Sequence, residues 1–163
     1  MKLDFVKTSP TQNMTLLLTT PVPREKQPAL AERLIAYDSV YAEQAGFLEA
    51  PEDKRASVHL QMMAGEFCGN ATLSAAAWLM EREGLSAGSE KEFLLEVSGA
   101  AKLIACKMKR TEEDFVGTVE MPLPEKISEK RFSLAGKEYR LTAVEFEGIT
   151  HIIVPKALWQ GEE

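Results

Sequence analysis

The stretch from Gly69 to about Glu83 carries apolar side chains in every direction around a helix axis. The apolar residues are Ala71, Leu73, Ala75, Ala76, Ala77, Trp78, Leu79 and Met80, interrupted only by Thr72 and Ser74. A helix at a protein surface shows a polar face, so this pattern is typical of a helix inside the protein. Its alanines allow surrounding strands to approach closely. The sequence therefore predicts a central helix over about 69–83, with Gly84 as its C-terminal cap.

The rest of the chain is dominated by short segments with the pattern of β-strands. Alternating apolar residues and short apolar runs predict strands at 2–7, 14–19, 58–62, 93–97, 102–108, 115–121, 131–134, 139–146 and 151–154. A second helix is predicted over about 28–37, with Leu30, Leu34 and Tyr37 on one face. Ser98-Gly99-Ala100 and Ala135-Gly136-Lys137 are turn signals between strands. Eight or nine strands with two helices indicate the α+β class.

Two architectures accommodate an apolar helix among so many strands. In one, a curved sheet or barrel wraps around the helix, and in the other the helix lies between a sheet and a second helix. The residue pattern favours neither. The length of 163 residues and the hydrophobic fraction of 45% predict a single domain over 1–163 with a sizeable core.

Charge and composition restrict the partners and the compartment. The chain has 19 Lys and Arg against 25 Asp and Glu, for a net charge of −6, and it lacks a basic block, so we do not expect nucleic acid as a partner. The sequence contains no signal-like or membrane-length apolar run, so we expect a cytoplasmic protein that does not enter a membrane. The two cysteines, Cys68 and Cys106, form no CxxC pair or ligand cluster, so neither a disulfide nor a structural metal is expected.

Cys68 lies where a loop turns into the predicted central helix. The first backbone N–H groups of a helix have no partner within the helix and carry the positive end of its dipole, which favours a thiolate. Gly69 lets the backbone approach a ligand and Asn70 offers an amide, so the turn resembles a cradle for a carboxylate or phosphate. Free cysteines also pack commonly as small buried hydrophobic residues. The position of Cys68 leaves both interpretations open.

The other residues capable of chemistry have simpler interpretations. Cys106 lies in the middle of a predicted strand, which favours a packed core residue. His59 and His151 are isolated residues of predicted strands, without the spacing of metal ligands or of a catalytic pair. Asn13 ends a loop before a strand and is by its pattern an ordinary turn residue.

The segment EFCGNATLSAAAWL, residues 66–79, resembles the first catalytic motif of the diaminopimelate epimerase superfamily. The segments around Asn13 and around Glu43-Gln44 resemble the opening strands and the substrate-facing segment of that superfamily. The strings VHLQMMAGEFCGNATLS, LEVSGAAKLIAC, VEMPLP and THIIVP resemble, within the superfamily, the histidine racemases of staphylopine-type metallophore pathways. Gly65 and Ala71 stand where relatives often carry Asn and Gly, which argues against diaminopimelate itself as the substrate.

The resemblance implies a curved sheet or barrel around the central helix, and a two-domain racemase of which this chain is the first domain. It implies acid/base catalysis by two cysteines, without pyridoxal phosphate, any other cofactor or a metal. Cys68 would be one of the two, and the other would lie in a Cys-Gly-Ser/Asn-Gly motif that these 163 residues do not contain. The resemblance also implies that the amino-acid substrate is bound by Asn13, Glu43, Gln44, Gly69 and Asn70.

Three functions follow from these observations. The first is the N-terminal domain of a pyridoxal-phosphate-independent amino-acid racemase or epimerase, with histidine as the first substrate to test and a missing C-terminal domain as its partner. The second is a non-catalytic module that binds an amino acid or carboxylate. The third is an enzyme in which Cys68 is a nucleophile, which requires a neighbouring histidine. The cleft-facing surface of a half-protein also predicts a possible homodimer.

Overall fold

The computed structural model describes residues 2–134 and 136–159, and its contacts divide the chain into two units, Met1–Met121 and Pro122–Glu163. The first unit contains strands β1 (Phe5–Thr8), β2 (Thr15–Leu18), β3 (Gln44–Glu49), β4 (Val58–Met62), β5 (Glu90–Val97), β6 (Ile104–Arg110) and β7 (Phe115–Val119). Its α-helices are α1 (Gln27–Ile35) and α2 (Gly69–Arg82), with short 3-10 helices at Pro10–Gln12 and Arg24–Lys26. The mixed content confirms the α+β class.

The seven strands of the first unit form one sheet in chain order, from β1 at one edge to β7 at the other. The pairs β2–β3 and β4–β5 are parallel, and all other neighbouring strands of this sheet are antiparallel. A parallel pair needs a crossover connection. The helix α1 lies in the connection between β2 and β3, and α2 lies in the connection between β4 and β5.

The sheet of the first unit is strongly curled around α2. This helix contacts β2 near one edge of the sheet as well as β5, β6 and β7 at the other, which a flat sheet would not permit. Ala71, Ala75 and Ala76 are fully buried against the strands, so their small side chains let the sheet close around the helix. The expectation of a curved sheet around a central helix is therefore confirmed, and the alternative of a helix between a sheet and another helix is excluded.

The two faces of the sheet carry separate apolar cores. Leu17, Leu60 and Leu95 face α2 in the larger core, whereas Leu16 and Leu18 face α1 on the outer side. Side chains of a strand alternate between the two faces of a sheet, so β2 is buried along its whole length because both of its faces are covered. The sheet thereby holds α2 on one face and α1 on the other.

Helix α2 spans Gly69–Arg82, in agreement with the prediction over 69–83. Gly84 has a φ of +67° and donates its N–H to the Glu81 carbonyl at 3.0 Å, which confirms it as the residue that ends the helix. The other helix, α1, ends at Ile35 rather than at the predicted Tyr37. Ala36 takes an extended conformation (φ −56°, ψ 148°), and Tyr37 is 86% exposed instead of lying on the apolar face.

The strand β3 was not among the predicted strands. Ala45, Gly46, Phe47 and Leu48 are all buried, so the segment lacks the alternation that marks a strand with one exposed face. The turn predicted at Ser98-Gly99-Ala100 is confirmed by the antiparallel pairing of β5 with β6 and by the φ of +69° at Gly99. No helix in the described part of the chain is long and apolar enough to cross a membrane.

The second unit is a three-stranded antiparallel sheet in the order β10–β9–β8. Its elements are β8 (Lys126–Leu134), β9 (Lys137–Phe146), β10 (Ile149–Ile153) and a short α3 (Lys156–Trp159). In the turn predicted at Ala135-Gly136-Lys137, Ala135 lies outside the described residues, and Gly136 has a φ of +76° between the paired strands β8 and β9. The expectation of one domain over 1–163 stays a prediction.

Candidate active site around Cys68

Cys68 is the N-cap residue of α2. Its backbone is extended (φ −134°, ψ 111°), and its Sγ accepts the backbone N–H of Ala71 at 3.4 Å. Thr72 donates both its N–H and its hydroxyl to the Cys68 carbonyl, at 3.0 and 2.8 Å. These contacts fix the sulfur at the positive end of the helix dipole, where an anion is stabilised.

The first turn of α2 also leaves donors for a ligand. Among the described residues, the backbone N–H groups of Gly69 and Asn70 have no hydrogen-bond partner, as expected at the start of a helix. A Cβ at position 69 would lie 3.3 Å from Met121 Sδ and 3.6 Å from Val119 Cγ1, so glycine fits the narrow space beside the end of β7. Two free donors next to the thiol form a cradle that suits a carboxylate.

The side chains predicted to bind substrate form one hydrogen-bonded network with Cys68, which we call the Cys68 network. The Cys68 thiol donates to Gln44 Oε1 at 3.2 Å, and Gln44 Nε2 donates to Asn13 Oδ1 at 2.7 Å. Asn13 Oδ1 also accepts from Asn70 Nδ2 at 3.2 Å, and Asn13 Nδ2 donates to Glu43 Oε2 at 3.0 Å. The structure therefore brings together the side chains that the family resemblance assigned to catalysis and substrate binding.

The parallel pairing of β2 and β3 explains why these residues meet. Thr15 at the start of β2 is paired in register with Gln44 at the start of β3, so the residues preceding both strands lie at the same end of the sheet. Met14 joins the two segments that precede β2 and β3. Its N–H donates to Glu43 Oε2 at 2.7 Å, and its carbonyl accepts the Glu43 N–H at 2.9 Å. The N-terminus of α2 reaches the same end of the sheet.

Strained backbone is concentrated in the loops that carry the network. Of the described residues other than glycine, those with positive φ are Thr11 (50°), Gln12 (67°) and Tyr41 (58°). The first two precede Asn13, and the third precedes Glu43 by two positions. Non-glycine residues adopt this conformation at an energetic cost, and such residues cluster at functional sites.

The remaining candidate residues lie away from the Cys68 network. Cys106 on β6 is fully buried in the α2 core, which confirms the prediction of a packed residue, and burial raises the pKa of its thiol to about 11. His59 on β4 contacts Glu96 Oε2 through Nδ1 at 3.0 Å. His151 on β10 stacks edge-to-face with Phe146, with 5.6 Å between ring centroids. Both histidines are strand residues, as predicted.

A polar cluster on the outer face of the sheet was missed by sequence reasoning. Arg24 contacts Glu49 at 2.8 Å, Gln61 at 2.7 Å and His59 at 3.1 Å. Arg24 and His59 border a cavity of about 700 Å³ that Asp53, Arg55 and Lys102 also line. His59 and Gln61 alternate with buried residues along β4, which indicates a polar outer face. The cluster itself could not be predicted from this pattern, because the partners of these residues come from distant segments.

Comparison with solved structures defines the class of fold. The chain is similar to a hydroxyproline epimerase from Agrobacterium vitis with a TM-score of 0.70 at 12% identity, covering 92% of this chain and 50% of that chain. It is similar to a probable proline racemase from Agrobacterium radiobacter K84 with a TM-score of 0.74 at 11% identity, covering 96% and 52%. The fold is that of racemases and epimerases.

The sequence comparisons define a more specific class than the structural comparisons, because they identify a protein family. The chain belongs to the histidine racemase CntK N-terminal domain family, whose model matches residues 2–163. A histidine racemase of Fusobacterium nucleatum subsp. nucleatum (strain ATCC 23726) is 34% identical over 154 residues, which cover 93% of this chain and 54% of that protein. A histidine racemase of Staphylococcus aureus (strain Mu50) is 28% identical, with 94% and 54% covered. The chain thus spans about half the length of these relatives, and the resemblance inferred from the sequence is confirmed.

Proposed function

We propose that this chain is the N-terminal domain of an amino-acid racemase that acts on histidine, with Cys68 as one of its two acid/base groups. The observation that carries the proposal is the thiol of Cys68 at the N-terminus of α2, bonded to Ala71 N–H and to Gln44 Oε1. Membership of the histidine racemase family supports histidine as the substrate.

The proposed reaction inverts the α-carbon by moving one proton. One base removes the α-proton from one face of the substrate, and an acid returns a proton from the opposite face. The intermediate carries negative charge that extends into the substrate carboxylate. The free N–H groups of Gly69 and Asn70 and the dipole of α2 suit that carboxylate, and they would stabilise the charge as it develops.

Cys68 has a hydrogen-bond partner for each of its two protonation states. As a thiol it donates to Gln44 Oε1, and as a thiolate it would keep the Ala71 N–H as a partner. A group that serves as acid in one direction and as base in the other needs both kinds of partner. The Cys68 network supplies them without rearranging the helix.

The second acid/base group is proposed to lie outside the 163 residues. Cys106 is unsuited to the role, because it is fully buried in the α2 core and burial raises the pKa of its thiol to about 11. The resemblance to the superfamily supports a second cysteine in the half of the relatives that this chain does not match.

Several further features are part of the proposal. Two thiols and a helix N-terminus can perform the proton transfer without pyridoxal phosphate, so we propose a cofactor-independent reaction. Cys68 and Cys106 are both free, which supports a reducing compartment such as the cytoplasm. The resemblance to histidine racemases of metallophore pathways supports that biosynthetic role. A homodimer stays a prediction.

A substrate panel tests the proposal. The chain, and an extended form that carries any coding sequence following Glu163, are incubated with single enantiomers of histidine, proline, glutamate and alanine. Chiral chromatography then detects the opposite enantiomer. We expect the extended form to convert histidine in both directions, and the 163-residue chain to be inactive. Conversion of proline but not histidine would overturn the substrate assignment, and no conversion of any amino acid by either form would overturn the racemase.

A further inference from the structure

Thr15 is a buried polar residue that touches Gln44 beneath the Cys68 network. It is fully buried at the start of β2, directly beside Gln44 in the parallel ladder. Its hydroxyl oxygen accepts from Gln44 Nε2 at 2.7 Å, and its hydroxyl proton is donated to the Asn13 carbonyl at 3.1 Å. A threonine hydroxyl has one proton to donate, so the atom of Gln44 that faces Thr15 has to be the donor.

A second contact orients the same amide in the same direction. Gln44 Nε2 also donates to Asn13 Oδ1 at 2.7 Å. The Asn13 amide is itself oriented because its Nδ2 donates at 3.0 Å to Glu43 Oε2, and a carboxylate oxygen only accepts. The donors of Gln44 are therefore directed at Thr15 and Asn13, which leaves Oε1 directed at the Cys68 sulfur at 3.2 Å.

An amide oxygen facing sulfur discriminates between the two forms of the cysteine. It accepts a hydrogen bond from a thiol, whereas a thiolate would place negative charge against a lone pair. If the Gln44 amide were reversed, its NH₂ group would face the sulfur and stabilise the thiolate instead. The orientation of this one amide therefore biases the proton on Cys68.

We propose that Thr15 is a positioning residue that fixes the Gln44 amide with its oxygen toward Cys68 Sγ, an arrangement that favours the thiol, the proton-donating form. The inference rests on the proposed function for its catalytic meaning, because a racemase needs one acid and one base at rest. The Thr15 hydroxyl bonds to Gln44 and to the Asn13 carbonyl, and it acts on Cys68 through Gln44. The thiolate formed after proton donation would retain the Ala71 N–H at 3.4 Å.

The ionisable groups around Cys68 do not duplicate this effect. Glu43 is linked to the thiol through the hydrogen bonds of Asn13 and Gln44. Glu66, two residues before Cys68, accepts the Ala64 N–H at 3.0 Å. Cys106 belongs to the same apolar core against which Cys68 packs, and burial keeps it protonated near neutral pH. Cys68 Sγ thus contacts two neutral groups with opposite effects, the Ala71 N–H, which favours the thiolate, and the Gln44 amide oxygen, which favours the thiol.

The test measures the rate of iodoacetamide alkylation of Cys68 against pH in the 163-residue chain, with peptide mass spectrometry separating Cys68 from Cys106. Gln44→Met removes the acceptor and should lower the midpoint of the profile by about half to one pH unit, a three- to tenfold rise in the thiolate-to-thiol ratio. Thr15→Val keeps the shape of the buried side chain but removes the hydroxyl, and it should shift the midpoint in the same direction by about half as much. Thr15→Ser retains the hydroxyl and should restore the wild-type midpoint.

Each outcome decides a separate part of the proposal. A shift in Gln44→Met with no shift in Thr15→Val would overturn the positioning role of Thr15. No shift in either variant would overturn the effect of the amide on the thiol. Equal shifts in Thr15→Val and Thr15→Ser would assign the effect to packing rather than to the hydroxyl. Alkylation does not depend on racemisation, so a failure of the proposed enzyme activity would leave this result unchanged.

Discussion

The substitution Gly117→Ala should separate β7 from α2. A Cβ at this position would lie 2.1 Å from Met108 Sδ, 2.9 Å from the Lys107 carbonyl oxygen and 3.0 Å from Leu73 Cδ2. The Met108 sulfur would have to retreat by more than an ångström to reach ordinary contact, but Met108 is only 3% exposed and has little room. The carbonyl oxygen belongs to the neighbouring strand and cannot move alone.

We expect Gly117→Ala to lower the free energy of unfolding by about 2–3 kcal/mol, the upper part of the range for overpacking a core. The urea slope for a small protein is about 2 kcal/mol per molar, so the midpoint should fall by about 1–1.5 M. Circular dichroism at increasing urea concentration measures this shift. Val116→Thr is the matched control, because Val116 is 61% exposed and neighbouring residues of a strand point to opposite faces. Its midpoint should stay within about 0.3 M of wild type.

A double variant tests whether the contact with Met108 causes the loss of stability in Gly117→Ala. Met108→Ala alone should destabilise by about 2–5 kcal/mol through the cavity that it creates. The added methyl of Gly117→Ala would fill part of that cavity, so the double variant should be less destabilised than the sum of the two single variants by at least about 1 kcal/mol. Strict additivity, or a midpoint for Gly117→Ala equal to that of Val116→Thr, would refute the close contact of Gly117 with Met108.

Three further predictions concern the site and the outer face. In the native chain at pH 8, iodoacetamide should label Cys68 but not Cys106, because burial raises the pKa of Cys106 to about 11, and mass spectrometry in urea should find both labelled. The pKa of Glu96 is lowered from its ordinary value of 4.5, chiefly by the Asp53 N–H, so its stabilising effect is present above that pH and is lost as the pH falls below it. Glu96→Gln should therefore flatten the loss of stability on the acid side, measured by urea melts between pH 5 and 3. Asn13→Ala breaks three hydrogen bonds of the Cys68 network and should lower kcat/KM of the extended form for histidine by about 10–100-fold, whereas an unchanged kcat/KM would contradict a role for the network.

Local sequence was sufficient to predict the central helix and its end. The all-round apolar pattern of 69–83 has one physical explanation, enclosure by other elements, and Gly84 marks its end by a backbone conformation that glycine adopts without strain. The strand β3 could not be recognised in the same way, because both of its faces are buried, with Phe47 in the core beside α1 and Leu48 in the larger core, and the alternation is lost. The strand order, with its two parallel pairs, depends on tertiary packing that a local pattern does not encode.

The membership of the candidate site was predictable, but its internal geometry was not. Family resemblance was sufficient to identify Asn13, Gln44 and Cys68 as candidate site residues. That Gln44 accepts from the thiol, and that Thr15 orients Gln44, depends on the register of β2 against β3. Register is set by packing and by the connecting helix α1, so a residue such as Thr15 carries no local signal of its role.

Solvent deuterium at the α-carbon of histidine tests the central claim most directly. The extended form is incubated with L-histidine in deuterium oxide, and proton magnetic resonance follows the loss of the α-proton signal. We predict exchange by the wild type, loss of at least about 100-fold in Cys68→Ala, and exchange retained in Cys106→Ala as the matched cysteine control. Exchange by Cys68→Ala at the wild-type rate would contradict the assignment of Cys68 as an acid/base group.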